Sequence, residues 1–394
     1  GAFFASRATV PMTGADIVVQ VLADENVDTI FGYSGGAILP TYDAVFRYND
    51  KHRLADGKAP IPLIVPANEQ GAGFMAAGYA RASGKVGVAM VTSGPGATNM
   101  VTPVRDSMAD SVPLVVICGQ VPTHAIGTDA FQEAPVAAIM GAVSKHVFLV
   151  TDPARLEATL RSAFDLARTG RPGPVVVDIP KDVQNWKGEF VGAGLLPLTG
   201  YRHRLQAVLD NHLTDEACER FYKMLTESER PLIYAGGGVI NGNATKAMRQ
   251  LASQYGIPVT TTLMALGASD TTHPLSLHML GMHGTAFANY AVEDCDFLIA
   301  IGARFDDRVA GNPEKFAPQA KKIAHFDVDV SEIGKVKAVN WHHVGMIKRD
   351  LDDLLAYGNR IQFNKQFSKW HEHIAALKTR YALNYDRDSD LIQP

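Results

Sequence analysis

The sequence is short of cysteine, of net charge and of long apolar runs, and each shortage excludes a class of protein. Its three cysteines, Cys118, Cys218 and Cys295, are too few and too scattered for a disulfide framework or a zinc site, which fits a reducing compartment. A formal net charge of −4 gives no reason to expect nucleic acid or an acidic membrane as a partner. No apolar stretch approaches the roughly 20 residues that are needed to cross a bilayer.

Internal repeats and low-complexity tracts are missing as well. With 46% hydrophobic and 20% charged residues in a chain of 394, we expect two domains of ordinary size, or three, each with a substantial core. The first dozen residues, GAFFASRATVPM, are too short and irregular for a signal peptide. The absence of an initiator Met there predicts a processed or recombinant end.

The sequence does contain an alternation of buried strands and helices, most clearly in residues 61–99. Ile61–Val65 is a short apolar run typical of a strand inside a parallel sheet, and a helix is predicted to begin near Asn68. Val86–Val91 is the next buried strand. The Gly-rich turn Thr92–Gly96 follows it and leads into another helix, whose free backbone N–H groups can face an anion or a polar ring.

Glu69 stands at the start of the first of these helices, and the residues alone leave two interpretations of it open. An acidic residue in a first helical turn usually complements the helix N-terminus, a contact typically worth about 0.3–1 kcal/mol. Alternatively, Glu69 and Ser93–Gly96 lie together at the carboxyl ends of neighbouring strands. A carboxylate kept among apolar neighbours there would share a proton with a heterocyclic nitrogen. The small residues from Gly71 to Ala80 would let the helix approach another backbone or a flat ligand closely.

The strand and helix pattern predicts an α/β fold with two doubly wound parallel sheets. The first domain is expected over residues 13–185, and the weakly periodic stretch 186–213 is expected to be a linker. A second strand–helix domain is expected over 214–360. Residues 361–394 would then contain a C-terminal helix, and the family resemblance described below implies that they also form a linker towards a further domain.

Glycine-rich turns follow the predicted strands of the second domain. Pro231–Ala235 leads into Gly236–Gly238, a later strand leads into Gly302, and Gly281–Gly284 precedes a helix. Such turns let backbone N–H groups approach a pyrophosphate. The strict dinucleotide-binding spacing is absent, so plain tight turns remain an equal alternative. Asp327, at the end of another strand, has the position of an acid that accepts hydrogen bonds from a ribose.

Four motifs in register resemble those of one enzyme family. They read NEQGAGFMAAGYARASGKVG, VTSGPGATN, GQVPTHAIGTDAFQE and TGRPGPVVVDIPKDV. From about Thr13 to about Asp350 the chain resembles the large subunit of the acetohydroxyacid (acetolactate) synthases, which are thiamine-diphosphate enzymes. The resemblance implies a pyrimidine-binding domain followed by a central, Rossmann-like domain that binds FAD.

The same resemblance implies roles for residues in both domains. Glu69 would hydrogen-bond the aminopyrimidine ring of thiamine diphosphate, and Arg308 would receive the carboxylate of a second keto acid. The residues expected in catalysis are Glu69, Gly36, Lys181, Phe131, Gln132 and Arg308. The residues expected to bind the cofactors are Tyr33, Gly35, Ser93, Gly94, Gln120, Arg171, Gly236, Gly237, Gly238, Thr261, Leu263, Met264, Gly281, Met282, His283, Gly284, Gly302, Arg304, Asp307, Asp327 and Val328.

Simpler interpretations of the charged residues stay open beside these roles. Lys181 is equally well a solvated charge just beyond a strand. Arg304 and Arg308 are, from the sequence alone, more typical of surface salt bridges. At the level of the whole protein, the alternatives are a non-catalytic flavin- or nucleotide-binding subunit and another thiamine-dependent decarboxylase or carboligase.

The implied reaction joins decarboxylated pyruvate to a second molecule of pyruvate or to 2-oxobutanoate, with thiamine diphosphate, FAD and Mg²⁺ as cofactors. The implied assembly is a homodimer or homotetramer, in which Glu69 and the diphosphate site come from different chains, with a small regulatory subunit as a further partner. Neither nucleic acid nor membrane is implied. The implied location is the bacterial cytoplasm, or the plastid in a photosynthetic eukaryote.

The chain departs from the family pattern in four places. No Gly-Asp-Gly motif, which holds Mg²⁺ and the diphosphate in thiamine enzymes, occurs in the 394 residues, and no other constellation replaces it. We therefore expect no metal ligands here, a diphosphate-binding domain that is missing or supplied by another chain, and no activity of this chain alone. Ser34 stands where the family usually has Pro, Asn68 where it commonly has His, and Gly345-Met346 where it has a Gly-Asp pair.

Overall fold

The structure is a computed structural model that describes residues 11–392. The processed end predicted from the first residues therefore falls largely outside the described part of the chain. The chain divides between Thr199 and Gly200 into two compact units. Within residues 11–392, no helix has both the length and the apolar character that a membrane span requires.

Unit 1 alternates strands and helices around a six-stranded sheet. The strands are β1 (Pro11–Thr13), β2 (Ile30–Tyr33), β3 (Leu63–Ile64), β4 (Gly87–Val91), β5 (Leu114–Gln120), β6 (His146–Leu149), β7 (Pro174–Pro180) and β8 (Lys187–Glu189). The helices are α1 (Gly14–Asp24), α2 (Leu39–Lys51), α3 (Glu69–Ser83), α4 (Pro95–Thr98), α5 (Val101–Asp110), α6 (Val136–Gly141), α7 (Leu156–Arg168) and α8 (Lys181–Asn185). The main sheet has the order β3-β2-β4-β5-β7-β6, and all its strands are parallel. β1 and β8 form a separate antiparallel pair.

The central strands of unit 1 are apolar because both of their faces are covered. β4, β5 and β7 are buried along their whole lengths, as expected for parallel strands between two helical layers. One layer contains α1, α2, α7 and α8, and the other contains α3, α5 and α6. Thr13 caps α1 as predicted, since its hydroxyl accepts a hydrogen bond of 3.1 Å from Asp16 N.

The apolar run at Ile61–Val65 does not lie inside the sheet, and that prediction is wrong. Only Leu63 and Ile64 pair, and they form the edge strand β3. Ile64 and Val65 are 43% and 56% exposed in this chain. Apolar composition alone does not distinguish a central strand from an edge strand whose outer side is free.

Unit 2 repeats the architecture with a second six-stranded sheet. Its strands are β9 (Pro231–Ala235), β10 (Val259–Thr261), β11 (Ser276–Met279), β12 (Phe297–Ile301), β13 (Lys322–Asp327) and β14 (Trp341–Val344). Its helices are α10 (Asp215–Glu227), α11 (Gly238–Asn241), α12 (Thr245–Tyr255), α13 (Ala286–Asp294), α14 (Ile347–Arg360) and α15 (Ser368–Arg380), preceded by α9 (Thr199–Asp210) at the boundary between the units. The order is β11-β10-β9-β12-β13-β14, again parallel throughout. The predicted α/β class with parallel sheets is therefore confirmed in both units.

The segment predicted as a linker contains ordered elements. Residues 186–213 include β8 and α9. Glu157 of α7 accepts backbone hydrogen bonds from Val191 and Gly192, at 2.9 and 2.8 Å, and so fastens part of this segment to unit 1. The domain bounds proposed from the sequence stay predictions.

Candidate functional site

The strand order of unit 1 reverses between β2 and β4, and the candidate site lies at the carboxyl ends of these two strands. The chain places β3 on one side of β2 and continues with β4 on the other side. Such a reversal opens a crevice at the sheet edge, where ligands of α/β proteins bind. Here the turn after β2 meets the turn after β4, since Ala37 N donates to Thr92 Oγ1 at 3.2 Å. A Cβ on Gly35 would lie 2.4 Å from Thr92 Cγ2, so the contact requires glycine.

Glu69 reaches this crevice from the other side of β2. The prediction that Glu69 and Ser93–Gly96 follow neighbouring strands is wrong, because β2 lies between β3 and β4. The two segments meet nevertheless: Asn99 Nδ2 donates to Glu69 Oε2 at 2.9 Å. The other carboxylate oxygen lies 3.7 Å from the position that a Cβ on Gly96 would take.

The Glu69 carboxylate is half-buried in this chain and keeps binding capacity. Asn68 caps the helix in front of it through a 2.8 Å bond from Gly71 N. Helix capping is therefore supplied by Asn68, and Glu69 is available for another contact. Within residues 11–392, Asn99 is its one hydrogen-bond donor. Burial and, to a smaller extent, the charge of Glu69 raise the pKa of Tyr42, whose hydroxyl donates to Met90 O at 2.7 Å.

The loop after β5 brings further predicted residues to the same edge. Gly94, with φ of +54°, passes so close to Gln132 that a Cβ would lie 2.5 Å from Gln132 O. Gln132 itself has φ of +57°, which is uncommon for a residue with a side chain. Phe131 is 88% exposed in this chain. Gly94 and the segment of Phe131 and Gln132 thus lie together, and the binding roles proposed for these residues stay predictions.

Four other predicted residues of unit 1 have less distinctive surroundings. Gly36 has open space where a Cβ would stand, and Ser93 is buried beneath the turn. Tyr33 is 37% exposed, and Lys181 at the start of α8 has no ion-pair partner within the described part of the chain. The solvated-charge interpretation of Lys181 therefore stays open.

Gln120 and Arg171 are engaged within unit 1. Gln120 is buried, and its amide bonds Val121, Ala134 and Asp178. Arg171 Nε donates to Ser111 Oγ at 2.8 Å. Both residues were predicted to bind a cofactor, and this geometry gives each of them a structural partner instead of leaving the side chain free.

Unit 2 has its own crevice, between β9 and β12, where its strand order reverses. Gly238 N donates to Gly302 O at 3.0 Å, and a Cβ on Gly236 would lie 2.2 Å from that oxygen. We call the contact of Gly236 and Gly238 with Gly302 the glycine cradle. Met264 lies at its side, with its Cβ 2.9 Å from the position that a Cβ on Gly237 would take. The glycine turns predicted to converge therefore do so through direct backbone contact.

A second part of the unit 2 crevice forms around Arg308. Met282 N donates to Arg308 O at 2.9 Å, and a Cβ on Gly281 would lie 2.7 Å from the same oxygen. Arg304 forms an ion pair of 2.9 Å with Asp306, so the salt-bridge interpretation holds for it. Arg308 pairs with no carboxylate among residues 11–392. Its exposed guanidinium is free to bind an anion.

The remaining predicted residues of unit 2 surround these two places. Leu263 is 67% exposed, and His283 and Asp307 are also exposed. Gly284 and Val328 are half-buried. The Thr261 hydroxyl is buried without a hydrogen-bond partner in the described chain. The Asp327 carboxylate accepts a hydrogen bond of 2.9 Å from Asp329 N, so one of its oxygens is already engaged and less available to a ribose.

Sequence reasoning missed four residues that the geometry marks. Asn99 holds Glu69, and Thr92 holds the turn after β2. Asp178 and Asp350 are buried carboxyls with oxygens that find no hydrogen-bond partner in the described residues. Asn99 closes the VTSGPGATN motif and is findable there, but nothing in the sequence distinguishes a buried Asp from an exposed one. Residues 11–392 contain no group of three or more His, Cys, Asp or Glu arranged to hold a metal ion.

Two family descriptions match separate parts of the chain. Residues 12–139 match the thiamine pyrophosphate enzyme N-terminal TPP binding domain, and residues 218–354 match the thiamine pyrophosphate enzyme central domain. Over 99% of its length the chain is 45% identical to the acetolactate synthase large subunit of Corynebacterium glutamicum, of which it covers 60%.

Relatives from other lineages give the same result. The chain is 42% identical to the chloroplastic acetolactate synthase of Arabidopsis thaliana, with 98% of the chain and 55% of the relative aligned. It is also 42% identical to the mitochondrial catalytic subunit of acetolactate synthase of Saccharomyces cerevisiae, with 95% and 54% aligned. The chain spans between half and two thirds of the length of these curated relatives.

Proposed function

Because the chain belongs to the thiamine pyrophosphate enzymes, as a homologue of acetolactate synthase large subunits along its whole length, we propose that it is part of an acetolactate synthase catalytic subunit. Unit 1 binds the aminopyrimidine of thiamine diphosphate at the crevice between β2 and β4. The substrates are pyruvate and a second keto acid, either pyruvate or 2-oxobutanoate, and the product enters branched-chain amino-acid synthesis.

The observation that carries this proposal is the state of the Glu69 carboxylate. One of its oxygens accepts from Asn99, and the other has no hydrogen-bond donor among residues 11–392. A heterocycle with an acidic N–H fits there as the second donor. Thiamine diphosphate, when bound, supplies a thiazolium carbon that serves as electron sink during decarboxylation.

The other residues of this crevice are proposed to bind the aminopyrimidine ring and to orient the Glu69 carboxylate. Asn99 fixes one oxygen of the carboxylate, and the other oxygen would remain available to the ring nitrogen. Phe131 and Gln132 lie at the entrance of the crevice. When a substrate or a partner chain covers them, they keep water out of it. Glu69 then holds or releases a proton at the nitrogen, which is acid–base work at one stated atom.

Unit 2 is proposed to bind FAD in the cradle of Gly236, Gly238 and Gly302. The glycines keep the two turns in direct backbone contact, and the buried hydroxyls of Thr261 and Thr262, which have no hydrogen-bond partner in the described residues, are polar groups that a ligand would satisfy. FAD has no net redox part in the proposed reaction. Arg308, the guanidinium without a carboxylate partner, is proposed to take the carboxylate of the acceptor keto acid in a bidentate pair.

Mg²⁺ and the diphosphate are proposed to be held outside these 394 residues, since no Gly-Asp-Gly motif occurs in them. The exposed ring of Phe131 and the half-buried Glu69 support a homodimer or homotetramer, in which a partner chain completes the crevice. A small regulatory subunit is the further proposed partner. The proposed location is the bacterial cytoplasm, or the plastid in a photosynthetic eukaryote.

The test is Glu69→Gln in the complete enzyme, with thiamine diphosphate, Mg²⁺ and pyruvate present. Gln keeps the size of the side chain and the bond from Asn99 but cannot exchange a proton with the ring. We expect acetolactate formation to fall by about 10²–10⁴-fold, the usual contribution of a positioned acid–base group, while the unfolding free energy stays within about 1 kcal/mol.

The matched control is Glu216→Gln, which changes an exposed acid in the first turn of α10. It reproduces the helix-end role that Glu69 would have if the carboxylate were only structural, and it should leave the rate unchanged. If Glu69→Gln retains a rate within about threefold of wild type, the carboxylate is not part of the mechanism. A wild-type protein that binds FAD but forms no acetolactate would favour the non-catalytic alternative.

A further inference from the structure

One side-chain amide joins the two ends of the loop that carries Phe131 and Gln132. The Gln120 carbonyl oxygen accepts from Val121 N at 2.8 Å, at the start of the loop. Its Nε2 donates to Ala134 O at 3.2 Å, at the end of the loop. The residues between these contacts, 121–134, thus form a closed loop that depends on Gln120, which is 3% exposed.

The direction of the Gln120 amide is decided by its partners. A backbone N–H only donates and a backbone carbonyl only accepts, so the oxygen must face Val121 and the nitrogen must face Ala134. Asp178 on β7 adds an acceptor on the nitrogen side, with its Oδ2 2.9 Å from Nε2. A flipped amide would place its oxygen against this carboxylate and its nitrogen against Val121 N, which removes all three bonds.

We propose that Asp178 is a positioning residue, whose carboxylate fixes the Gln120 amide and thereby holds the loop that presents Phe131 and Gln132 to the crevice. The effect on catalysis rests on the proposed function, whereas the mechanical coupling from Asp178 to the loop does not. Gly94 extends the coupling to the site, since its backbone touches Gln132 O.

The surroundings of Asp178 make this support dependent on protonation. Asp178 is 1% exposed, and burial raises the pKa of its carboxyl to about 7, against the opposing effect of the Gln120 bond. Its Oδ1 has no hydrogen-bond partner in the described residues. A proton on Oδ2 would face the Nε2 donor, and a proton on Oδ1 finds no acceptor and leaves only a neutral, weaker acceptor for Gln120.

The other ionisable groups near Asp178 are either neutral or engaged elsewhere. Cys118, its register neighbour on β5, has a thiol pKa raised well above the usual value by burial and then by the Asp178 charge. Glu133 of the loop binds Gly127 N and Ala130 N. Asp182 of α8 binds Thr123 N and its hydroxyl. On β6, the register neighbour is the apolar Leu149.

The test is amide hydrogen exchange of the ligand-free chain in wild type, Asp178→Leu and Asp178→Asn. Leu removes the acceptor, and Asn keeps one without the charge. We expect Asp178→Leu to lower protection of the Val121, Gly127 and Ala130 amides by about tenfold or more, and Asp178→Asn by less than about threefold.

Val176→Ala is the matched control, because it weakens the same face of the same strand without touching Gln120. If Asp178→Leu changes loop protection no more than Val176→Ala does, the proposal is wrong. In the complete enzyme, Asp178→Leu should raise KM for pyruvate more than it lowers kcat, and Asp178→Asn should restore KM. Loop exchange that follows these expectations in an enzyme without acetolactate activity would overturn the proposed function and leave the positioning intact.

Discussion

The two units place their candidate sites at the same topological position but build them from different parts of the chain. In both, the site lies where the strand order reverses, between β2 and β4 in unit 1 and between β9 and β12 in unit 2. Unit 1 presents side chains, chiefly Glu69, Asn99 and Phe131. Unit 2 presents bare backbone at Gly236, Gly238 and Gly302.

This difference determines which substitutions each site tolerates. A side chain such as Glu69 is changed without disturbing the sheet, because it is half-buried and bonds one partner. A glycine of the unit 2 cradle is both site and scaffold, since any Cβ there strikes the backbone of the facing turn. Function and folding are therefore separable at Glu69 of unit 1 and inseparable at the glycines of the unit 2 cradle.

The largest effect is expected for Gly302→Val. Gly302 has φ of +58°, and its Cβ would lie 2.6 Å from the Cα of Gly238. A β-branched residue combines an unfavourable backbone conformation with a clash that no rotamer relieves. We expect unit 2 to lose more than about 4 kcal/mol of stability and, with it, the FAD binding that is proposed for it. Urea unfolding in a Trp186→Phe background measures this, because Trp341 and Trp370 then report on unit 2.

Gly267→Val separates backbone strain from close approach. Gly267 also has positive φ, +91°, but no atom lies within 4 Å of its Cβ position. We expect a loss of about 1–3 kcal/mol there. If both valine variants cost the same, the cradle is not a contact of two backbones, and the contrast between the units fails.

A smaller effect is expected from Asp178 on the pH dependence of unit 1. Its carboxyl has a pKa of about 7 in the folded chain, against 3.8 without burial. The folded state therefore binds more protons than the unfolded state between these values, and stability falls as the pH rises from about 4 to 7. At about 1.4 kcal/mol per tenfold change in proton affinity, the loss amounts to roughly 4 kcal/mol at most.

Asp178→Asn should abolish this slope. Unfolding followed through Trp186, in a background with Trp341 and Trp370 replaced by Phe, should find the variant more stable than wild type at pH 8, with the gap closing towards pH 4. A gap that stays constant with pH would mean that the Asp178 carboxyl does not titrate in this window. The result also sharpens the comparison, because it identifies a residue in unit 1 that, unlike Glu69, serves both folding and the site.

The comparison also explains which features the sequence predicts. Continuous apolar runs at β4, β5, β7, β9 and β12 identify central strands, because only such runs are buried on both faces. The edge position of β3 is not predictable from the apolar run at Ile61–Val65, because the order of the strands in the sheet decides which strands have only one neighbour. Nor does the sequence distinguish Arg304, which pairs with Asp306, from Arg308, which pairs with no carboxylate in the described chain.

A candidate site residue is predictable from the sequence when its role depends on its own motif. Glu69, Gly94 and Gln132 lie within quoted motifs, and the structure brings them to one edge of the sheet. Asp178 also lies within a motif, but its importance arises from the loss of water around it, which depends on the packing of the whole unit. Pattern reasoning identifies chemical groups, and it does not identify which of them become buried.

The smallest effect is expected on α3, where two glycines separate packing within the chain from contact beyond it. A Cβ on Gly73 would lie 2.4 Å from Pro103 Cγ, whereas Gly78 is exposed and has no atom within 4 Å of its Cβ position. Gly73→Ala should therefore destabilise unit 1 by about 1–3 kcal/mol. Gly78→Ala should stabilise it by about 0.5–1 kcal/mol, the usual gain in a helix interior.

Denaturation of the two variants side by side, again through Trp186, measures these opposite signs. Equal losses in both would mean that α3 needs small residues for its own packing and not for a partner. If Gly78→Ala stabilises the chain but weakens self-association in sedimentation, the free face of α3 is where a second chain approaches. The side-chain site of unit 1 would then be completed by a second chain.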